Sequence, residues 1–195
     1  MRHPGKCLIT AALMGWMGVH AMPCLANDTA SSSADDAKAI YVAFLTQWMG
    51  KDDAPTNVAD TAKQPTPDDI GHYTQCAGSD GSGSIRWVSG TTDADLRNAI
   101  GSLARVKLVA PGQWQAVDPG DLIAHGRSAD AAVEAGFAGG LMTLSAISFN
   151  QAHDVALFTF SFECGRLCGH GGTVMFTKTP RGWVQDRRSC DSWMS

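Results

Sequence analysis

The densest chemistry in this chain is a short run that holds Cys164, Arg166, Cys168 and His170 among Gly165, Gly169, Gly171 and Gly172. Two thiols and an imidazole at that spacing allow three uses: a copper or zinc site, an exchanging dithiol, or a disulfide that closes a hairpin loop. The ion would need a fourth ligand, and none lies nearby in the sequence. A redox dithiol wants two residues between its cysteines and a helix amino terminus to lower a thiol pKa. Here three residues intervene, and a glycine turn leading into a strand follows. Covalent haem attachment fails on the same spacing. A structural disulfide, with no cofactor and no catalytic residue, is therefore the expectation, and a thiol-redox or metal-carrying loop of Cys164, Cys168 and His170 is the alternative.

The other cysteines fit that reading. Residues 1–26 have the pattern of an export leader, with Arg2 and Lys6 before an apolar stretch from 8 to 22 and a small-residue cleavage site after Ala26. Cys7 and Cys24 fall within it; an amino-terminal lipid at Cys24 is disfavoured by Ala21, Met22 and Pro23 before it. Cys76, Cys164, Cys168 and Cys190 remain, an even number in an exported chain. Three pairings are formally open. Short spacing favours Cys164 with Cys168, which leaves Cys76 for Cys190. The predicted location is the periplasm or the cell exterior.

Charge and hydropathy narrow the partners. The 195 residues carry a formal charge of −4, and loss of the leader takes this to −6. An acidic chain lacks the basic footprint that phosphate backbones require, so nucleic acid is excluded as a partner. The leader's apolar stretch is shorter than the roughly 20 residues that span a bilayer, and no other segment comes closer. Residues 27–195 are expected to form a single domain.

Other reactive residues read as ordinary surface or core. No G-x-S-x-G elbow exists to support an oxyanion reading of His170, Gly171 and Gly172. His72, His125 and His153 stand apart in expected loops. The pairs Asp52 with Asp53 and Asp68 with Asp69 lack the alternation of a calcium loop and read as solvated. Asn27, Asp28 and Thr29 match a glycosylation acceptor. Trp48 and Trp183, at helical and strand positions, are expected to pack in the core, whereas Trp87 and Trp114 are candidate surface anchors for a partner.

The elements that must position the cysteine loop are legible in part. Ala37, Ile40, Tyr41, Phe44, Leu45 and Trp48 predict an amphipathic helix over 34–49, capped at Ser33 and ended by Gly50. Residues 51–84 read mostly as loop, with a short helix over 67–75. Thr92 caps a helix over 93–104, a strand follows at 106–109, turns at 111–112 and 118–121, and a helix over 128–135 stops at Gly136. Four strands are then expected, at 141–149, 155–163, 173–178 and 183–188. In the second of them Ala156, Phe158, Phe160 and Phe162 alternate with Leu157, Thr159, Ser161 and Glu163, the pattern of a half-buried antiparallel strand.

Over about 141–195 the chain resembles a set of uncharacterised bacterial exported proteins. The likeness rests on a C-G-x-L-C-G-x-G hairpin, here Cys164, Gly165, Leu167, Cys168, Gly169 and Gly171, then Gly182 with Trp183, then Trp193 and Ser195. It implies an exported domain with a disulfide hairpin and implies no activity. Cys76 and Cys190 lie outside the pattern.

The reading is an α+β domain in which N-terminal and central helices pack on a C-terminal antiparallel meander. Its expected role is a non-enzymatic binding or interaction module, inhibitor- or immunity-like, with a protein partner in the envelope.

Overall fold

The amphipathic stretch ahead of Gly50 forms a helix that lies across a curled β-sheet. A computed structural model describes residues 28–51, 54–78, 85–187 and 190–195. The expected leader and cleavage site, Asn27, Asp52, Asp53, residues 79–84 and residues 188–189 lie outside the described residues. In chain order the elements are α1 (Asp28–Met49), β1 (Thr56–Ala59), α2 (Pro67–Cys76), β2 (Trp87–Ser89), α3 (Asp93–Ile100) and β3 (Val106–Val109). A 3-10 turn at Pro111–Gln113 leads to α4 (Pro119–Ala124) and α5 (Ala129–Gly139). Strands β4 (Leu141–Leu144), β5 (Ser148–Asn150), β6 (Val155–Gly165), β7 (Cys168–Thr179), β8 (Gly182–Gln185) and β9 (Cys190–Met194) complete the chain. The class is α+β, with an antiparallel meander at the carboxy end.

The core follows from the phenylalanine face of β6. Tyr41, Phe44, Leu45 and Ile40 of α1 are buried against Phe158 and Phe162, and Phe44 meets Phe158 edge-on with centroids 5.2 Å apart. Each such side chain contributes about 2 kcal/mol through burial. Helix α1 begins six residues before the position read from the sequence, so Ser33 is inside it and not its cap. The Ser33 hydroxyl instead reaches the Gly90 carbonyl at 3.4 Å.

Strand β6 holds the sheet together. It pairs antiparallel with β4 and β5 along one edge and with β7 along the other, while β7 also pairs with β8 and β9. The sheet is mixed, because β1 runs parallel to both β3 and β4. Strand β1 lies in the stretch expected to be loop. Its four residues carry no alternation, and pairing on both sides makes them a strand.

Residues 141–149 form two strands where one was expected. Between β4 and β5 the chain bends through Ser145, Ala146 and Ile147, all buried, and Lys63 bridges there by accepting from the Ala146 N–H and donating to the Leu144 carbonyl, each at 2.9 Å. Burial on both sides explains why this segment alternates poorly. Tyr41 crosses to the same bend and donates to the Ser145 carbonyl at 2.8 Å.

Two helix expectations change at their ends, and one expected turn becomes a helix. Thr92 caps α3 reciprocally with Asp95, but the helix stops at Ile100. Residues 118–121 open α4, whose cap is Asp118. Helix α5 runs through Gly136: a Cβ there would stand 2.6 Å from Pro119 Cγ, so this glycine serves close packing and not termination. Helix α2 starts at a Thr66–Asp69 capping box and covers the opposite face of the sheet, where Tyr73 buries Leu157 and Met175.

Two disulfides tie these parts together. Cys76, at the end of α2, is bonded to Cys190 at the start of β9, and Cys164 is bonded to Cys168 across the β6–β7 turn, with Cα separations of 5.8 and 5.0 Å.

Candidate functional site

The cysteine loop is a built joint. Cys164 is 1% exposed and belongs to the core, and the residues between it and Cys168 dock on the start of α4. The Asp118 carboxylate accepts from the Arg166 backbone N–H at 2.8 Å and from its Nε at 3.2 Å, while Asp121 takes another guanidinium nitrogen at 2.7 Å. The Arg166 N–H, helped by the α4 backbone and the guanidinium, holds the Asp118 carboxyl below its ordinary value against the opposing effect of desolvation. Arg166 is thus paired with carboxylates.

His170 is turned toward α1. Its ring stacks on Trp48 with centroids 4.8 Å apart, and burial lowers its pKa. Both sulfurs are in the disulfide, and no group of three His, Cys, Asp or Glu converges at metal-binding distance among the described residues.

The two tryptophans expected at the surface hold elements together. Trp87 Nε1 donates to Thr74 Oγ1 at 3.0 Å, and Trp114 Nε1 donates to the Gly139 carbonyl at 2.9 Å. The histidines separate by environment. His125 is an exposed helix end bonded to the Asp121 carbonyl. His153 is not a free surface residue: it stacks on Phe149 at 4.3 Å and meets the Asp36 carboxylate at 2.9 Å. His72 is exposed and lies 3.7 Å from Asp191, too far for a hydrogen bond. Asp69 is one partner of the α2 capping box.

A polar cleft on the sheet face opposite α1 is the site that the sequence did not announce. It encloses about 290 Å³. Thr143 of β4 sits directly across from Ser161 of β6, and Thr159 of β6 across from Thr173 of β7, so hydroxyls from three strands share one surface. Glu163 extends the row. Lys63, Asp69 and Asp191 form the rim, and Trp193 of β9 forms one wall.

Glycine shapes that wall. Trp193 pairs with Gly171, and a Cβ on Gly171 would lie 2.6 Å from the indole Nε1 and 2.5 Å from the Phe160 carbonyl oxygen. The indole therefore rests on bare β7 backbone while remaining 44% exposed.

Charges around the cleft are unequally matched. Burial raises the pKa of Asp69, but hydrogen bonds from Thr66 and the charges of Lys63 and His72 outweigh it and hold the carboxyl below its usual range. Asp191 faces His72. Glu163 has no ion-pair or hydrogen-bond partner among the described residues, nor do the hydroxyls of Thr143, Ser161 and Thr173.

Ser145, on the cleft floor, is not a free nucleophile. Its hydroxyl donates to the Ala146 carbonyl at 3.1 Å, accepts from the Thr159 N–H at 2.8 Å, and lies 3.3 Å from the Tyr73 hydroxyl. Among the described residues no histidine is hydrogen-bonded to a hydroxyl in the cleft, which presents hydrogen-bonding groups beside an aromatic face.

A wider groove of about 870 Å³ opens on the helix side between α1 and β8. It carries one buried acceptor without a partner among the described residues, Gln185 Oε1, over an apolar floor of Phe44, Trp48 and Val174. The sheet-face cleft gathers more polar groups and is the better candidate.

One signal for the cleft was present in β6, where the residues alternating with the phenylalanines turn from Leu157 to Thr159, Ser161 and Glu163. The chain matches no protein-family model, no curated protein and no solved structure.

Proposed function

We propose that this chain is an exported, non-enzymatic binding module of the cell envelope or exterior, and that the sheet-face cleft is its recognition surface. Two disulfides and the leader-like first 26 residues support the compartment. No helix among the described residues is long and apolar enough to cross a membrane.

The observation that carries the reading is an exposed indole laid beside three hydroxyls and a carboxylate that bond nothing else in the described chain. Polar groups placed without partners at one concave surface are what a ligand satisfies on binding.

The test is retention from envelope extract by immobilised mature protein with its disulfides intact, beside Trp193→Ala. A component held by the parent, released chemically unaltered and lost in the variant is expected. Equal retention by both proteins, or release of an altered component, overturns the proposal. Titration of the native protein with a thiol reagent is expected to find no free sulfhydryl; two readily alkylated cysteines at 164 and 168 would replace this reading with a redox one.

A further inference from the structure

We infer that the ligand of the sheet-face cleft is a saccharide, neutral or amino-bearing, whose apolar C–H face stacks on Trp193. This deepens the binding-module reading and rests on it. The inference starts from the geometry of the groups without partners.

Thr143 and Ser161 stand opposite each other on adjacent strands, and Thr173 lies one strand further across. Neighbouring strands are about 4.8 Å apart, so the hydroxyls form a grid of weak donors and acceptors spread over the width of a sugar ring and its neighbour. Each hydroxyl can both give and accept a hydrogen bond, as a ligand rich in hydroxyls requires. At the end of the row, Glu163 supplies two acceptor oxygens that suit adjacent ligand hydroxyls or an ammonium group. Trp193 supplies a flat apolar surface, fixed in orientation by its rest on Gly171, so little freedom is lost when a ring stacks on it.

Other ligand chemistries fit less well. An apolar ligand would bury three hydroxyls and a carboxylate without replacing their water. A phosphate or nucleic acid would meet Glu163, Asp69 and Asp191 against the single lysine, Lys63, of the rim. A basic peptide could use Glu163 and the indole face but would leave the hydroxyl grid mostly unmatched. The saccharide uses all of them.

The experiment is a heteronuclear NMR titration of the isotopically labelled mature chain, disulfides intact. The probes are cellotetraose, chitotetraose, maltotetraose and the glucosamine tetramer, with tetralysine and inorganic phosphate in parallel. At least one saccharide is expected to shift the Trp193 indole and the Thr143, Ser161 and Thr173 amides saturably, with phosphate inert. Trp193→Ala should weaken that binding about tenfold. Ser161→Ala, which keeps the indole and its glycine seat, should weaken it several-fold and shows that the loss does not come from misfolding. If tetralysine moves these resonances and no saccharide does, the inference is overturned while the binding-module reading stands. If none of the probes moves them, the inference is likewise overturned, and the extract-retention experiment alone then judges the broader reading.

Discussion

Cys76→Ala together with Cys190→Ala should cost this protein about 5 kcal/mol, more than twice the cost of removing the other bridge. The two cysteines are 114 residues apart in sequence, and the bond joins the end of α2 to the first residue of β9. Opening a loop of that length restores about 5 kcal/mol of chain entropy to the unfolded state, whereas opening the Cys164–Cys168 ring, four residues apart, restores about 2 kcal/mol. Domains of this size are stable by about 5–15 kcal/mol, so the first loss leaves the fold marginal. Guanidinium unfolding of the parent, of Cys76→Ala/Cys190→Ala and of Cys164→Ala/Cys168→Ala measures both differences. The denaturant slope should rise most in the long-loop variant, because its unfolded chain exposes more surface. Beyond stability, β9 carries Asp191 and Trp193, so the same variant should lose ligand binding at concentrations of denaturant too low to unfold it. Equal destabilisation by the two double substitutions would refute the loop-closure argument.

Three further outcomes follow from named contacts. Gly171→Ala places a methyl 2.5 Å from the Phe160 carbonyl oxygen and 2.6 Å from the Trp193 indole Nε1, so it should both lower stability in chemical denaturation and abolish retention of the cleft ligand in the extract assay. Tyr41→Phe removes the hydrogen bond to the Ser145 carbonyl at the bend between β4 and β5 and should lower stability by about 1.5 kcal/mol in chemical denaturation. Stability should also fall in two stages on acidification, followed by denaturation at successive pH values. The His170 pKa is lowered by burial from 6.5, so the unfolded chain takes up its proton first and stability declines as pH drops below 6.5. Asp36, Asp69 and Asp118 are held below 3.8 in the folded chain, so the stability they confer is complete above that value and is lost as pH falls through their folded values. For Asp36, burial acts in the opposite direction and is outweighed by the hydrogen bonds to Lys178 and His153 and the charge of Lys178. His170→Phe preserves the stack on Trp48 and should flatten the first stage only.

The sequence by itself determined the parts whose causes act within a few residues. The α1 face of Tyr41, Phe44 and Leu45, the Thr92 cap, and the alternation of phenylalanines in β6 are local patterns, and each formed the element it signalled. The cysteine spacing likewise signalled the hairpin bridge between Cys164 and Cys168. Tertiary structure decided what depends on distant partners. The four residues of β1 carry no strand pattern and become a strand only between β3 and β4; Gly136, which reads as a helix stop, sits inside α5 because Pro119 packs against it. The candidate site is the extreme case. Lys63, Thr143, Ser161, and the β9 pair Asp191 and Trp193 come from four separate stretches, and only the curl of the sheet and the Cys76–Cys190 bond bring them to one surface. Periodicity reports which side of its own strand a residue occupies, but convergence between strands is set by register and sheet order, which no local pattern encodes.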